Sequence, residues 1–417
     1  MPAATSPATA PFLRSLFACF LLCFAVPAGA ASKIYEARYV ADIRPQAGVI
    51  HMELKLSGER LPRKIVFHMD AKRHRAIAST DPVEIADGTV TWQPRGKVAR
   101  LNYDFVVNHE RAPGRYDSLL TPEWTIFRGD KLVPRARVTA VRGMRSQTTL
   151  EFTLPPGWSV ITPYGPTDAK TLRIDDPKRK FGRPTGWMLA GKLGSRAESI
   201  AGVQTLVAAP SGDKARRQDT LAFLNWNLPH LLKVFPAFPK RLLIVAAGDP
   251  MWRGGLSGPA SLFLHSDRPL ISENRTSTLL HELVHVAMGI RGDAESDWIP
   301  EGFAEFYSLE TLRRSGGIGK TRYKQAVEKM AAWSKRAPSL FAAESSGART
   351  ARAVVTLQAV DAEIRSATAN KFSLDDVARE LAAQQGKVSL ESLQSMAAKV
   401  AGQPVKSLER SKLNGAT

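Results

Sequence analysis

Past residue 30 the sequence contains no cysteine, because both of its cysteines, Cys19 and Cys23, lie in the first thirty residues. That excludes disulfides and cysteine-ligated zinc from the rest of the chain. Any metal site there must be built from histidine and carboxylate. Acid is scarce too: 39 Asp and Glu stand against 58 Lys and Arg, a formal net charge of +19. An excess of that size suits anionic surroundings, such as a charged envelope surface. Yet no long basic block and no interleaving of aromatic with basic residues marks a nucleic-acid binder. No long apolar run follows residue 30, so no integral membrane span is expected there. What is present is ordinary for a folded protein: 417 residues, 44% hydrophobic, enough for two or three domains with a sizeable core.

The first thirty residues read as an export signal. Arg14 supplies a positive flank, residues 16–26 form an apolar run too short to span a bilayer, and Ala28-Gly29-Ala30 offers a small-x-small cleavage site. Neither Cys19 nor Cys23 has small residues at both preceding positions, which argues against lipidation. The expectation is an exported protein, periplasmic or secreted.

The remainder divides into three. Residues 31–209 show period-two alternation, as in Ile50, Met52, Leu54, Leu56 and in Leu101, Tyr103, Phe105, Val107, broken by turns such as Asp87-Gly88. This predicts an antiparallel, sandwich-like β-domain whose scattered histidines (His51, His68, His74, His109) are ordinary strand or surface residues. Residues 210–320 open on a polar linker, continue into a helix striped by Leu221, Leu224, Leu228 and Leu231, and reach a buried strand at 242–247. A glycine-rich loop (Gly254, Gly255, Gly258) and a short strand at 261–265 follow. The loop precedes no helix and lacks a phosphate-loop lysine, so it does not predict nucleotide binding. Residues 321–417 read as helical, with Ser373 as a cap and Asp375 and Asp376 in the turn it opens. The fold class is therefore α+β.

The chemistry lies between residues 279 and 307. His281-Glu282-Leu283-Val284-His285 is an H-E-x-x-H run among uncharged neighbours. Residues four apart share a helix face, so both imidazoles reach one ion. A second cluster, Trp298-Ile299-Pro300-Glu301-Gly302-Phe303-Ala304-Glu305, follows, with fifteen residues between His285 and Glu301. Pro300 suits the first turn of a helix, which puts Glu301 and Glu305 one turn apart on the same face. Catalytic zinc takes three protein ligands and leaves a fourth position for water. His281, His285 and Glu301 supply the three. Glu282 is placed to take a proton from that water, and Glu305 to hold a ligating imidazole in one tautomer.

At these residues the sequence resembles the gluzincin metallopeptidases, most closely the glycyl aminopeptidase family. Gly254-Gly255-Leu256 followed by Ser261 is similar to that family's G-G-L-E-H-x-x-S stretch, which forms its substrate-lining strand. The segment around Pro155-Pro156-Gly157-Trp158 resembles its N-terminal domain, and the helices from Val354 through Val377 its C-terminal region. The resemblance implies a thermolysin-like catalytic domain, one zinc ion, and hydrolysis of peptide or protein substrates. The chain departs from the pattern in three places. Ser257 and Gly258 stand where the family has the glutamate and histidine, the former of which holds a substrate's free amino group. No tyrosine stands near Thr350 or Ala351, where the family's oxyanion-stabilising tyrosine is due, and Arg349 or Arg352 is the nearest donor. The chain leaves no room for the family's PDZ module. The expected activity is thus an exported zinc metallopeptidase cutting within chains. Residues 261–265 would pair with an extended substrate, and His265 would assist at the oxyanion. The alternatives are a zinc-retaining peptide- or envelope-binding protein without turnover, and an aminopeptidase.

Overall fold

The computed structural model describes residues 33–165, 170–174, 176 and 179–414; the export signal expected in the first thirty residues lies outside the described residues. In the first half, a six-stranded sheet takes the order Thr171–Arg173, Arg145–Thr153, Ile34–Arg44, Val49–Ser57, Val98–Val106, His74–Ser79. Tyr39 lies opposite Leu54 and Ala41 opposite Met52, so the buried residues of neighbouring strands fall on one face. That face, with Tyr35, Ile50, Leu101 and Phe105, carries the core the alternation predicts. The expectation of a wholly antiparallel domain needs one correction. Ile34–Arg44 runs parallel to Arg145–Thr153, a pairing between segments too distant for local pattern to reveal.

The second half is built on a five-stranded sheet in the order Leu193–Ile200, Val203–Pro210, Arg241–Ala247, Ser261–His265, Gly255–Gly258. Its first two strands fall before the boundary drawn at 209/210, so this sheet recruits residues that the periodicity groups with the β-domain. The three inner strands are parallel. Arg241–Ala247 is apolar almost throughout because both faces of the sheet are covered. Leu242, Ile244, Leu262 and Leu264 face the helices, whereas Leu243, Val245 and Phe263 face Trp187, Leu189 and Ile126 of the first half. The glycine-rich stretch is not a loop. Gly255–Gly258 is an edge strand of this sheet, paired among the described residues only with Ser261–His265.

Helices cover the outer face: Arg217–Val234, Thr278–Met288, Trp298–Arg314, Lys320–Ser334, Ala348–Ala367, Leu374–Gln384 and Leu390–Ala401. Ser373 caps the helix it was expected to cap, in a capping box with Asp376. Among the described residues, no helix is long and apolar enough to cross a membrane.

Candidate metal centre

The H-E-x-x-H run forms the helix Thr278–Met288 (the histidine helix). Ser277 starts it by accepting from the Leu280 N–H (3.3 Å), and Gly289 ends it at φ +60°, a left-handed position that favours glycine. Leu279, Leu280, Leu283 and Val284 bury the apolar side, which leaves His281 and His285 partly exposed on the other. The second cluster forms the helix Trp298–Arg314 (the glutamate helix), anchored by fully buried Trp298, Ile299 and Phe303. Pro300 sits in its first turn, as expected.

The two helices bring three ligand atoms together. His281 Nε2 and His285 Nε2 are 3.2 Å apart, and each lies 3.3 Å from an oxygen of Glu301. Among the described residues these three are the group able to hold a metal ion, with their ligand atoms all within 4.8 Å of one another. On the far side of the ring, His281 Nδ1 lies 3.0 Å from Glu305 Oε2, the contact its spacing predicts. Burial pushes His281 down, but Glu301 and Glu305 override this and hold it well above its usual value. Burial opposes ionisation of Glu301 as well, yet the two histidines keep its carboxyl far below the ordinary range. Two imidazoles facing a carboxylate, with Glu282 and Glu305 beside them, form a site that draws in positive charge. Nitrogen and oxygen donors in a three-plus-open arrangement suit zinc.

Glu282 is 8% exposed and packs against the edge strand. A Cβ on Gly255 would stand 2.5 Å from its Cγ and 2.8 Å from Thr278 Cγ2, so glycine is what lets strand and helix approach this closely. Asp297, just before the glutamate helix, was not singled out in the sequence. Its Oδ2 accepts from the Ser345 N–H (2.7 Å), tying residues 342–347 to the base of that helix. Burial raises its pKa.

Three other predicted residues are engaged elsewhere. His265 is 1% exposed; its Nδ1 accepts from the Asp267 N–H (3.2 Å), and its Nε2 lies 3.4 Å from Asp249. Its strand cannot receive a substrate either, because both of its edges are already paired. Arg349 donates to the carbonyls of Ser339 and Glu344, and Arg352 to those of Ala337 and Lys412. These arginines fasten loops and the end of the chain. Among the described residues the sheet edge beside the histidine helix belongs to Gly255–Gly258.

No protein-family profile matches the sequence, and no curated protein sequence does. Solved structures do match. An aminopeptidase N family protein from Idiomarina loihiensis superimposes with a TM-score of 0.65 at 15% identity, over 84% of this chain and 70% of that one. A two-domain M1 zinc metallopeptidase, a mutant bound to L-arginine, gives 0.59 at 16% identity, over 92% and 94% of the two chains. A mutant M1 zinc metallopeptidase from Deinococcus radiodurans gives 0.58 at 15%, over the same shares. The chain therefore has the fold of the M1 zinc metallopeptidases.

Proposed function

We propose that this chain is an exported zinc metallopeptidase that hydrolyses peptide bonds within chains. The observation carrying the proposal is the convergence of His281, His285 and Glu301 beside Glu282, on a fold shared with zinc peptidases. His281, His285 and Glu301 would hold one zinc ion, and Glu305 fixes the His281 ring through its Nδ1. Zinc in such a site acidifies a water and polarises a carbonyl. Glu282 takes the proton of the attacking water on its carboxylate and returns it to the leaving amine. Gly255–Gly258 offers its edge to an extended peptide, so main-chain bonds give affinity with little sequence preference. Its N-terminal signal sends the chain to the periplasm or beyond, where its basic surface suits an anionic envelope.

The test is to purify the protein, measure its metal content, and incubate it with a peptide library. Stoichiometric zinc and new internal termini, lost by at least roughly a hundredfold in Glu282→Gln, are expected. Full activity in Glu282→Gln, or protein free of metal, would overturn the proposal. The aminopeptidase reading is favoured by the kinship of fold with an aminopeptidase N family protein. Ser257, in place of a carboxylate on the edge strand, counts against it. Cleavage confined to free N-termini would decide for it.

A further inference from the structure

The edge strand and its hairpin partner fix which backbone groups meet a substrate. Gly254 accepts from the His265 N–H (3.0 Å) and gives its own N–H to the Trp252 carbonyl (2.9 Å), so the ladder to the neighbouring strand runs through residues 254, 256 and 258. Those of Gly255 and Ser257 turn to the free edge. The same alternation sends the side-chain positions of 255 and 257 toward the histidine helix, while Leu256 packs in the cluster around Trp187. The receptive edge is thus two residues long. Gly255 lies against Glu282, and Ser257 lies roughly 6.7 Å further along.

The outward carbonyl of Ser257 is already taken. Arg128, at the end of the strand Trp124–Arg128 in the first half of the chain, donates to it through Nη1 (3.2 Å). The guanidinium is held in place by Asp130, with Nε to Oδ1 at 3.1 Å and Nη2 to Oδ2 at 3.0 Å, and it lies over the Trp187 ring. Of five guanidinium N–H groups, three are engaged, which leaves two donors and no acceptor at the end of the edge. Asp130 is occupied by Arg128 and by the Gly186 N–H. A carbonyl or carboxylate arriving at Ser257 therefore finds partners. An ammonium, itself only a donor, meets a fixed cation and other donors, and loses water without replacement.

We propose that Arg128 is a specificity-determining residue, which caps the substrate edge at Ser257 and selects peptides presenting an oxygen acceptor there over peptides ending there in a free amine. This deepens the peptidase reading and rests on its placement of substrate along Gly255–Gly258. The acceptor has two sources, the carbonyl of a blocked or continuing chain and a carboxylate, which one peptide in three forms separates: free amino, N-acetyl and N-succinyl.

Binding of the three forms to zinc-loaded Glu282→Gln is measured by calorimetry, and cleavage by the unaltered protein in parallel. Both blocked forms are expected to bind and to lower KM by roughly tenfold or more relative to the free amine. A gain for the succinyl form alone identifies the carboxylate as the acceptor. In Arg128→Gln the gap between blocked and free peptides should close with zinc content unchanged, and Arg128→Lys, lacking the fork, should restore it only in part. Equal treatment of the three forms, a preference for the free amine, or an undiminished gap in Arg128→Gln would overturn the role of Arg128 while leaving a peptidase standing. Selective binding without any cleavage would overturn the peptidase and leave Arg128. No binding of any form would overturn both.

Discussion

Glu305 illustrates how one carboxylate can be necessary without touching the metal. Its oxygen holds His281 Nδ1, so the Nε2 lone pair is the one aimed at Glu301 and His285. Glu305→Gln keeps the shape and weakens that hold. Zinc affinity is expected to fall roughly 10–100-fold with the fold intact, as read by chelator competition and circular dichroism. Protons compete for the same nitrogen. Without metal, His281 keeps its proton to well above the usual histidine pKa. Zinc must displace it, and affinity therefore falls as pH falls, by about tenfold per unit for each proton displaced. Zinc binding measured across the acid-to-neutral range should show that slope, and an affinity independent of pH would contradict the geometry. These residues were legible in the sequence because helical spacing places them: positions four apart needed no knowledge of the rest of the fold.

At the scale of elements, the glutamate helix is held by two devices. Gly302 meets the helix Ala348–Ala367 so closely that a Cβ there would stand 2.7 Å from Ala353 Cβ. Gly302→Leu should cost about 1–3 kcal/mol by overpacking, measured as a lower urea midpoint. Further along, Arg314 donates twice to Asp375 (2.8 and 2.9 Å), which also accepts from the Tyr307 hydroxyl (2.9 Å). Burial alone would raise Asp375; Arg314 and Tyr307 reverse this and hold it below its usual pKa. Its contribution to stability is therefore present above the unfolded carboxyl pKa and lost as pH falls through the lower, folded one. Arg314→Met leaves that largely buried carboxylate without its cation, though still accepting from the Tyr307 hydroxyl, and about 3–5 kcal/mol should be lost in denaturant titration at neutral pH. The sequence was less readable at this scale. Local alternation found the strands of the first half, but it took Gly255–Gly258 for a loop, because four residues of which two are glycine carry no hydrophobic period. Nor could it tell that Ser261–His265 lies inside the sheet, since pairing with Arg241–Ala247 is set by distant packing. Arg128 had no signal at all, being an ordinary strand residue 129 positions before its partner.

For the whole molecule, the decisive feature is the sheet covered on both faces. The Trp187 ring packs at a tilt against Phe263, the Trp187 backbone N–H donates to Ser261 Oγ (2.8 Å), and Gly186 lies so near Pro259 that a Cβ would reach the Pro259 carbonyl at 2.6 Å. Expressed alone, residues 193–414 would expose Leu243, Val245 and Phe263 to water. That fragment should bind hydrophobic dyes and aggregate, as judged by fluorescence and gel filtration. A stable monomeric fragment would contradict the arrangement.

The bond from Arg128 to Ser257 has a consequence in time as well as space. As the chain is synthesised, the arginine emerges first, the strand it grips comes later, and the histidines come later still. A loop of well over a hundred residues must then close before the recognition edge is complete, and non-local closures of this kind are slow. Ion capture needs only two neighbouring helices, whereas substrate selection needs both ends of the chain's history. A refolding experiment that follows zinc uptake and peptide cleavage together should see the metal arrive first and discrimination between blocked and free peptides arrive last.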